Sequence, residues 1–170
     1  MACVYAGAQS RADLTLMTFN IRFDNPGDGD NRWDKRRDYV AQTMLFHQAQ
    51  VCGLQEALHS QIQDLLQRMP GYAFVGVGRD DGQLKGEFSP ILYDTRRLQL
   101  LDSGTFWLSE TPEKVSKGWD AALPRVATWA KLRDKTGRKV FFVVNTHFDH
   151  VGQEARKNSA GLIVQRVQQL

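Results

Sequence analysis

Two cysteines among 170 residues are too few for a disulfide framework. They also lie in unlike surroundings, Cys3 in a small-residue leader and Cys52 in the apolar run Val51-Cys52-Gly53-Leu54. With no base poised beside it to make a thiolate, Cys52 reads as a buried thiol. Wholly apolar runs extend over only a few residues, whereas a membrane-spanning helix needs roughly 18 to 20. Charge of one sign is also scarce. Against 19 Asp+Glu the chain has 22 Lys+Arg, a formal charge of +3, which suits phosphorylated or anionic partners without indicating nucleic acid. What is abundant is apolar residue content, 42% of the chain. That is enough for one domain's core and excludes disordered, collagen-like and low-complexity classes.

Residues 1–12 end a Met1-to-Gln9 stretch in Ala6-Gly7-Ala8, which fits the tail of an export signal but lacks a charged start and a full apolar core. A disordered extension is an equal alternative. The leader reading would make the protein secreted or periplasmic, and otherwise it would be cytoplasmic. From Leu14 a run apolar on both sides predicts a buried strand ending at Asn20. Asp24 to Asn31 is turn chemistry, and Trp33 to Gln48 reads as a helix with Val40 and Met44 inward and Asn31 or Asp30 as cap. A strand over 51–55, a helix over 60–69 stopped by Pro70-Gly71, and a strand over 72–77 follow. Beyond Gly78 helix content falls away. Segments 89–94, 98–108, 127–133 and 139–145 read as strands, before an amphipathic helix over 153–170 with Ala155, Leu162, Ile163, Val167 and Leu170 near one face. An α/β opening followed by an antiparallel run predicts one layered domain with a large mixed sheet. The last helix has no capping group after Leu170, so the chain reads as cut.

Polar groups stand at three strand ends: Asn20, Glu56 and Asn145-Thr146-His147. Strand ends converge in space. A glutamate there offers a hard oxygen to Mg²⁺, which takes one or two carboxylates and keeps several waters. Each residue alone has an ordinary structural reading: Asn20 as a turn residue, Glu56 as a first-turn acid, His147 as a hydrogen-bonded core histidine.

Together these residues resemble the endonuclease/exonuclease/phosphatase superfamily, which includes pancreatic deoxyribonuclease, over 14–170. The resemblance rests on Met17-Thr18-Phe19-Asn20-Ile21-Arg22, Gly53-Leu54-Gln55-Glu56 and Asn145-Thr146-His147-Phe148. Gly86 to Tyr93, Phe106 to Pro112 and Gly118 to Trp129 resemble an often exported bacterial branch. The resemblance implies a deoxyribonuclease-like four-layer α-β-β-α sandwich, incomplete at its C-terminus, with 13–170 the amino-terminal portion of a single domain. It implies that Glu56 binds Mg²⁺ or Mn²⁺ with help from Asn20, and that His147 contacts the scissile phosphate. Glu87 would fix the His147 tautomer and favour its cationic form, while Arg125 and Asn145 would bind phosphate or substrate. The implied activity is divalent-metal-dependent phosphoester hydrolysis by in-line water attack. The expected partner is a phosphate ester, with nucleic acid possible but not indicated, and the complete protein is expected to be a monomer. The family's Gly-Asp-x-Asn and Ser-Asp-His motifs are absent from this sequence, which leaves an inert fragment or binding module as the alternative.

Other readings are weaker. Thr146 to Gly152 superficially resembles a metallo-β-lactamase motif, but its first histidine is Asn145 here and no histidine follows His150. A calcium loop over Asp24 to Lys35 fails at Pro26 and Lys35, which supply no ligand. Arg32, Lys35, Arg36 and Arg37 form a basic cluster, read as a solvated helix face or a nucleic-acid contact. Trp33, Trp107, Trp119 and Trp129 read as core residues or as stacking surfaces for a base or sugar.

Overall fold

The computed structural model describes residues 13–170, so the expected leader over residues 1–12 lies outside the described residues. Strand β1 (Leu16–Asn20) leads through a 3-10 turn (Pro26–Asn31) to helix α1 (Trp33–Phe46). Strand β2 (Val51–Gln55), helix α2 (His59–Arg68), and strands β3 (Tyr72–Val75) and β4 (Ile91–Asp94) follow. Strands β5 (Leu98–Trp107), β6 (Val126–Asp134) and β7 (Val140–Thr146) precede helix α3 (Gln153–Val167). Among the described residues no helix is long and apolar enough to cross a membrane.

The first sheet has the order β1-β2-β4-β3, with β1 and β2 parallel and β4 antiparallel to both its neighbours. The second, β5-β6-β7, is wholly antiparallel. Three apolar clusters define four layers. Met44, Ile62, Leu65 and Leu54 bury the inner faces of α1 and α2 against the first sheet. Val51, Ile91, Leu98 and Leu132 fill the space between the sheets, and Phe106, Ala127, Leu162 and Ile163 close α3 onto the second. This is the deoxyribonuclease-like α-β-β-α sandwich, and Val40 and Met44 face inward as the helical spacing predicts.

Two local expectations need correction. Strand β1 is not buried on both sides. Met17 and Phe19 pack under the helices, but on the opposite face of this edge strand Leu16 is 58% exposed, with little of the described residues over it. Neither Asn31 nor Asp30 caps α1: Arg32 holds the cap position with no side-chain bond. The side-chain cap sits earlier, where Asn25 accepts from the Gly27 amide at 3.0 Å and starts the 3-10 turn. Cys52 is fully buried, as expected, and burial pushes its thiol up to about 12.

The two sheets are tied at one residue. Asn145 on β7 donates to the backbone carbonyls of Leu54 at 2.7 Å and Pro90 at 2.9 Å, and accepts from Gln55 Nε2 at 2.7 Å. The close approach requires Gly53, since a Cβ there would lie 2.7 Å from Asn145 Oδ1. The site lies at the adjoining strand ends.

Candidate functional site

Glu56 follows the last residue of β2 with its backbone in the left-handed region, φ 59°, uncommon for a glutamate and a conformation that clusters at functional positions. Its carboxylate accepts from Asn20 Nδ2 at 2.8 Å and from the Phe23 amide at 3.4 Å. Asn20 Oδ1 in turn accepts from the Arg22 amide at 2.9 Å. Asn20 therefore presents its nitrogen to Glu56 and orients the carboxylate. Arg22, also left-handed at φ 55°, pairs bidentately with Asp28 and comes within 3.9 Å of Glu56. Arg36 holds this loop in shape by donating to the backbone carbonyls of Ile21, Arg22 and Asn31.

The residue after Glu56 brings a second acid near. Ala57 forms an isolated bridge with Phe88, closed by the Phe88 amide donating to Ala57 O at 2.7 Å. Glu87 immediately precedes Phe88. It does not bond to His147 as expected, because both of its oxygens accept from the Arg79 guanidinium, at 2.8 and 3.3 Å. Arg79 sits opposite Glu87 in a hairpin-like turn, its amide donating to Glu87 O at 3.2 Å, and its own carbonyl accepts from Trp107 Nε1 at 2.8 Å.

His147 follows β7 and packs closely against Arg79, Glu87, Ser89 and Arg125. Its partner is Arg125, whose Nη1 lies 3.3 Å from His147 Nδ1, while Nη2 lies 3.0 Å from His150 Nδ1. A guanidinium only donates, so both Nδ1 atoms accept and the neutral His147 carries its proton on Nε2. Burial pushes His147 below its ordinary value and Arg125 adds to this, against the opposing pull of Glu56 and Glu87. In the protein without metal or substrate these influences together favour the uncharged ring.

Arg125 is itself buried, 6% exposed, and its Nε donates to Asp149 at 3.3 Å. Burial alone would raise Asp149. Backbone amides of Gly152, Ala122 and Val151, together with Arg125, hold it well below the usual carboxylate range instead. Arg125 is therefore not a surface ion pair: it lies buried between Asp149 and His147 and holds the imidazole. Asn145 likewise lies between the sheets with both polar atoms engaged by protein groups, and braces the strand end. The guanidinium between His147 and His150 occupies the place where a metal shared by two imidazoles would have to sit, which removes the β-lactamase reading.

Sequence reasoning did not single out Arg22, Arg79 or Asp149 for these roles. Arg22 closes the Asn20-Ile21-Arg22 signature, so its place beside Glu56 follows from the same short run of sequence. Arg79 sits in turn chemistry that carries no such signal. The basic cluster is largely neutralised within the fold: Arg32 pairs with Asp24, Lys35 with Asp34 and Arg37 with Asp64.

No protein-family profile matches the chain. An endonuclease/exonuclease/phosphatase structure from Bacteroides vulgatus is 51% identical, with a TM-score of 0.89 over 90% of this chain and 59% of its own length. A mannosyl-6-phosphatase from Bacteroides thetaiotaomicron is 40% identical, with a TM-score of 0.90 over 92% of this chain and 60% of its own. The D. rerio TDP2 structure, complexed with a single-strand DNA product, is 18% identical with a TM-score of 0.69 over 91% of this chain and 54% of its own. At that identity it shares the fold alone. The chain thus spans about three fifths of the length of the first two.

Proposed function

Because the chain belongs to the endonuclease/exonuclease/phosphatase superfamily, we propose that it carries the metal-binding and phosphate-contacting part of a phosphoester hydrolase acting on a sugar phosphate. The observation that carries this reading is the packing of Glu87, Arg125 and His147 together, with Glu56, next to the Ala57–Phe88 bridge, close enough to act on the His147 charge.

The donor set fits a hard divalent cation. Glu56 keeps lone pairs on both oxygens after accepting from Asn20 and Phe23 and remains partly open to solvent, and Mg²⁺ takes one or two carboxylates alongside its waters. Glu56 would hold Mg²⁺ or Mn²⁺, which when bound supplies Lewis-acid polarisation of a phosphoryl oxygen. The other steps belong to the protein's own groups. Asn20 keeps the Glu56 carboxylate turned outward. His147 offers its Nε2–H to a phosphoryl oxygen as negative charge builds there, and Arg125, anchored by Asp149, prevents the imidazole from rotating. Arg79 holds Glu87 as an ion pair beside His147, so that two acids do not face the phosphate unopposed.

The sugar-phosphate class draws on the 40% identical mannosyl-6-phosphatase and on the internal pairing of the basic cluster, which disfavours a nucleic-acid substrate. The sequence holds no Gly-Asp-x-Asn to orient the attacking water, so the 170-residue chain is expected to bind cation and phosphate with little turnover. Titration with Mn²⁺ while following the His147 ring signals by NMR tests the site. Saturable broadening is expected, abolished in Glu56→Gln and weakened about 10- to 100-fold in Asn20→Ala, as for groups that orient a ligand. Broadening unchanged in Glu56→Gln would overturn the assignment, and removal of metal by chelator should restore the signals.

A further inference from the structure

We infer that a second groove, between the β5–β6 connection and α3, binds a neutral hexose unit of a carbohydrate. The groove is broadly open to solvent, offers about 590 Å³, and is lined by Trp119, Glu110, Asn158, Leu162, Gln165 and Gln169 among others. That volume lies within the range of small-molecule sites, roughly 300 to 1,000 Å³.

Its chemistry is specific. Asn158, Leu162, Gln165 and Gln169 recur at helical spacing and form one stripe of α3 and its last turn. The three amide side chains of this stripe have no hydrogen-bond partner among the described residues, and neither does the Trp119 indole N–H. Side-chain amides donate and accept at once, as vicinal hydroxyls require. An indole offers a flat apolar face to the C–H side of a pyranose together with one donor at its edge. Glu110 adds an acceptor and is positioned by the Trp119 amide, which donates to both its oxygens at 3.2 Å. Trp119 is fixed in the left-handed region at φ 47°, a conformation a tryptophan keeps only when its surroundings hold it.

Charge excludes the nearest rival class. The groove carries one carboxylate, Glu110, and one guanidinium, Arg166, which is itself paired with Glu113. A site with no net positive charge does not select phosphate or nucleotide. The groove is nonetheless joined to the phosphate site by one short stretch of chain. Trp119 and Arg125 belong to the same loop, and the neighbouring Asp120 accepts from the Ala155 amide at 2.7 Å and the Glu154 amide at 3.3 Å at the start of α3. As the seat of the substrate's carbohydrate portion the groove rests on the phosphoesterase reading; as a binding site it does not.

The test uses phosphate-free sugars on the 170-residue chain: glucose, galactose, mannose and their short oligosaccharides, followed through the four indole N–H signals. A saturable shift of the Trp119 signal at millimolar sugar is expected, with those of Trp33, Trp107 and Trp129 unmoved. The combined Asn158→Ala and Gln165→Ala variant should weaken it about tenfold, matching the loss of one to two net hydrogen bonds. Trp119→Ala should abolish binding, seen then by calorimetry, while Trp119→Phe retains part of it. Glu56→Gln should leave it intact, so that a failure of the metal site and a failure of the groove are separable. No shift with any sugar, a shift unchanged in the amide variant, or a response to inorganic phosphate alone would each overturn the inference.

Discussion

At the scale of single residues, the site depends on which atom of His147 carries the proton. Arg125 dictates the answer because it can only donate, and it is held by an aspartate whose side chain is 1% exposed. Replacing Arg125 with Gln should release His147 Nδ1. Ring ¹⁵N spectra are expected to show one tautomer in the parent and a mixture in the variant. The same change leaves Asp149 without its cationic partner, and breaking a buried pair from one side costs about 3 to 5 kcal/mol; a denaturant midpoint measures this separately from the tautomer. An unaltered ¹⁵N pattern would mean another group orients the ring. The ends of strands made Asn20, Glu56 and His147 legible in the sequence, because a polar residue closing an apolar run is a local pattern. Their partners were not legible. Arg79 meets Glu87 only through a hairpin-like turn, and Asp149 finds Arg125 only after β6 and β7 pair, so neither pairing leaves a local pattern.

At the scale of elements, the seam between the sheets is set by Gly53 and Asn145. A methyl group at position 53 would stand 2.7 Å from Asn145 Oδ1, too close for either strand to keep its place. Gly53→Ala is expected to lower stability by about 1 to 3 kcal/mol, and combining it with Asn145→Ala should cost less than the sum of the two single changes. Additive losses in a urea-denaturation cycle would show that the two residues do not meet. A second clamp joins the start of β5 to the end of β6, where Arg97 donates to both oxygens of Asp134 at 2.7 and 3.0 Å. This pairing, with amides of Thr136 and Gly137, holds the Asp134 carboxyl down at about 2 against an ordinary 3.8. A depressed acid contributes its full stabilisation above its unfolded value, so the contribution is complete above pH 3.8 and is lost as pH falls through about 2. Urea midpoints should fall over that window in the parent, and Asp134→Asn should flatten that part of the profile. The strands and helices themselves were readable from periodicity to within a few residues. The insertion of β4 between β2 and β3 was not, because strand order depends on contacts distant in sequence.

At the scale of the whole molecule, the two sheets are unequal, four strands against three, and the mismatch leaves apolar surface at their margins. Leu16 pairs with Val51 and so projects from edge strand β1 on the side that faces the second sheet, where the described residues leave it 58% exposed. On edge strand β7, Val140 is 45% and Phe142 37% exposed. Uncovered edge strands present unpaired backbone groups as well as these side chains, a combination that templates pairing between chains. The 170-residue chain should therefore self-associate as its concentration rises. Light scattering after size exclusion is expected to show mass increasing with loading, and more steeply at high salt, where repulsion between chains of like net charge is screened. A lysine at Leu16 or Phe142 opposes association by placing a charge on the edge itself. Leu16→Lys and Phe142→Lys should each return the chain towards monomer without altering its circular dichroism, since neither side chain belongs to the buried core. A parent that stays monomeric across the range would mean the twist of β1 and β7 already protects these edges.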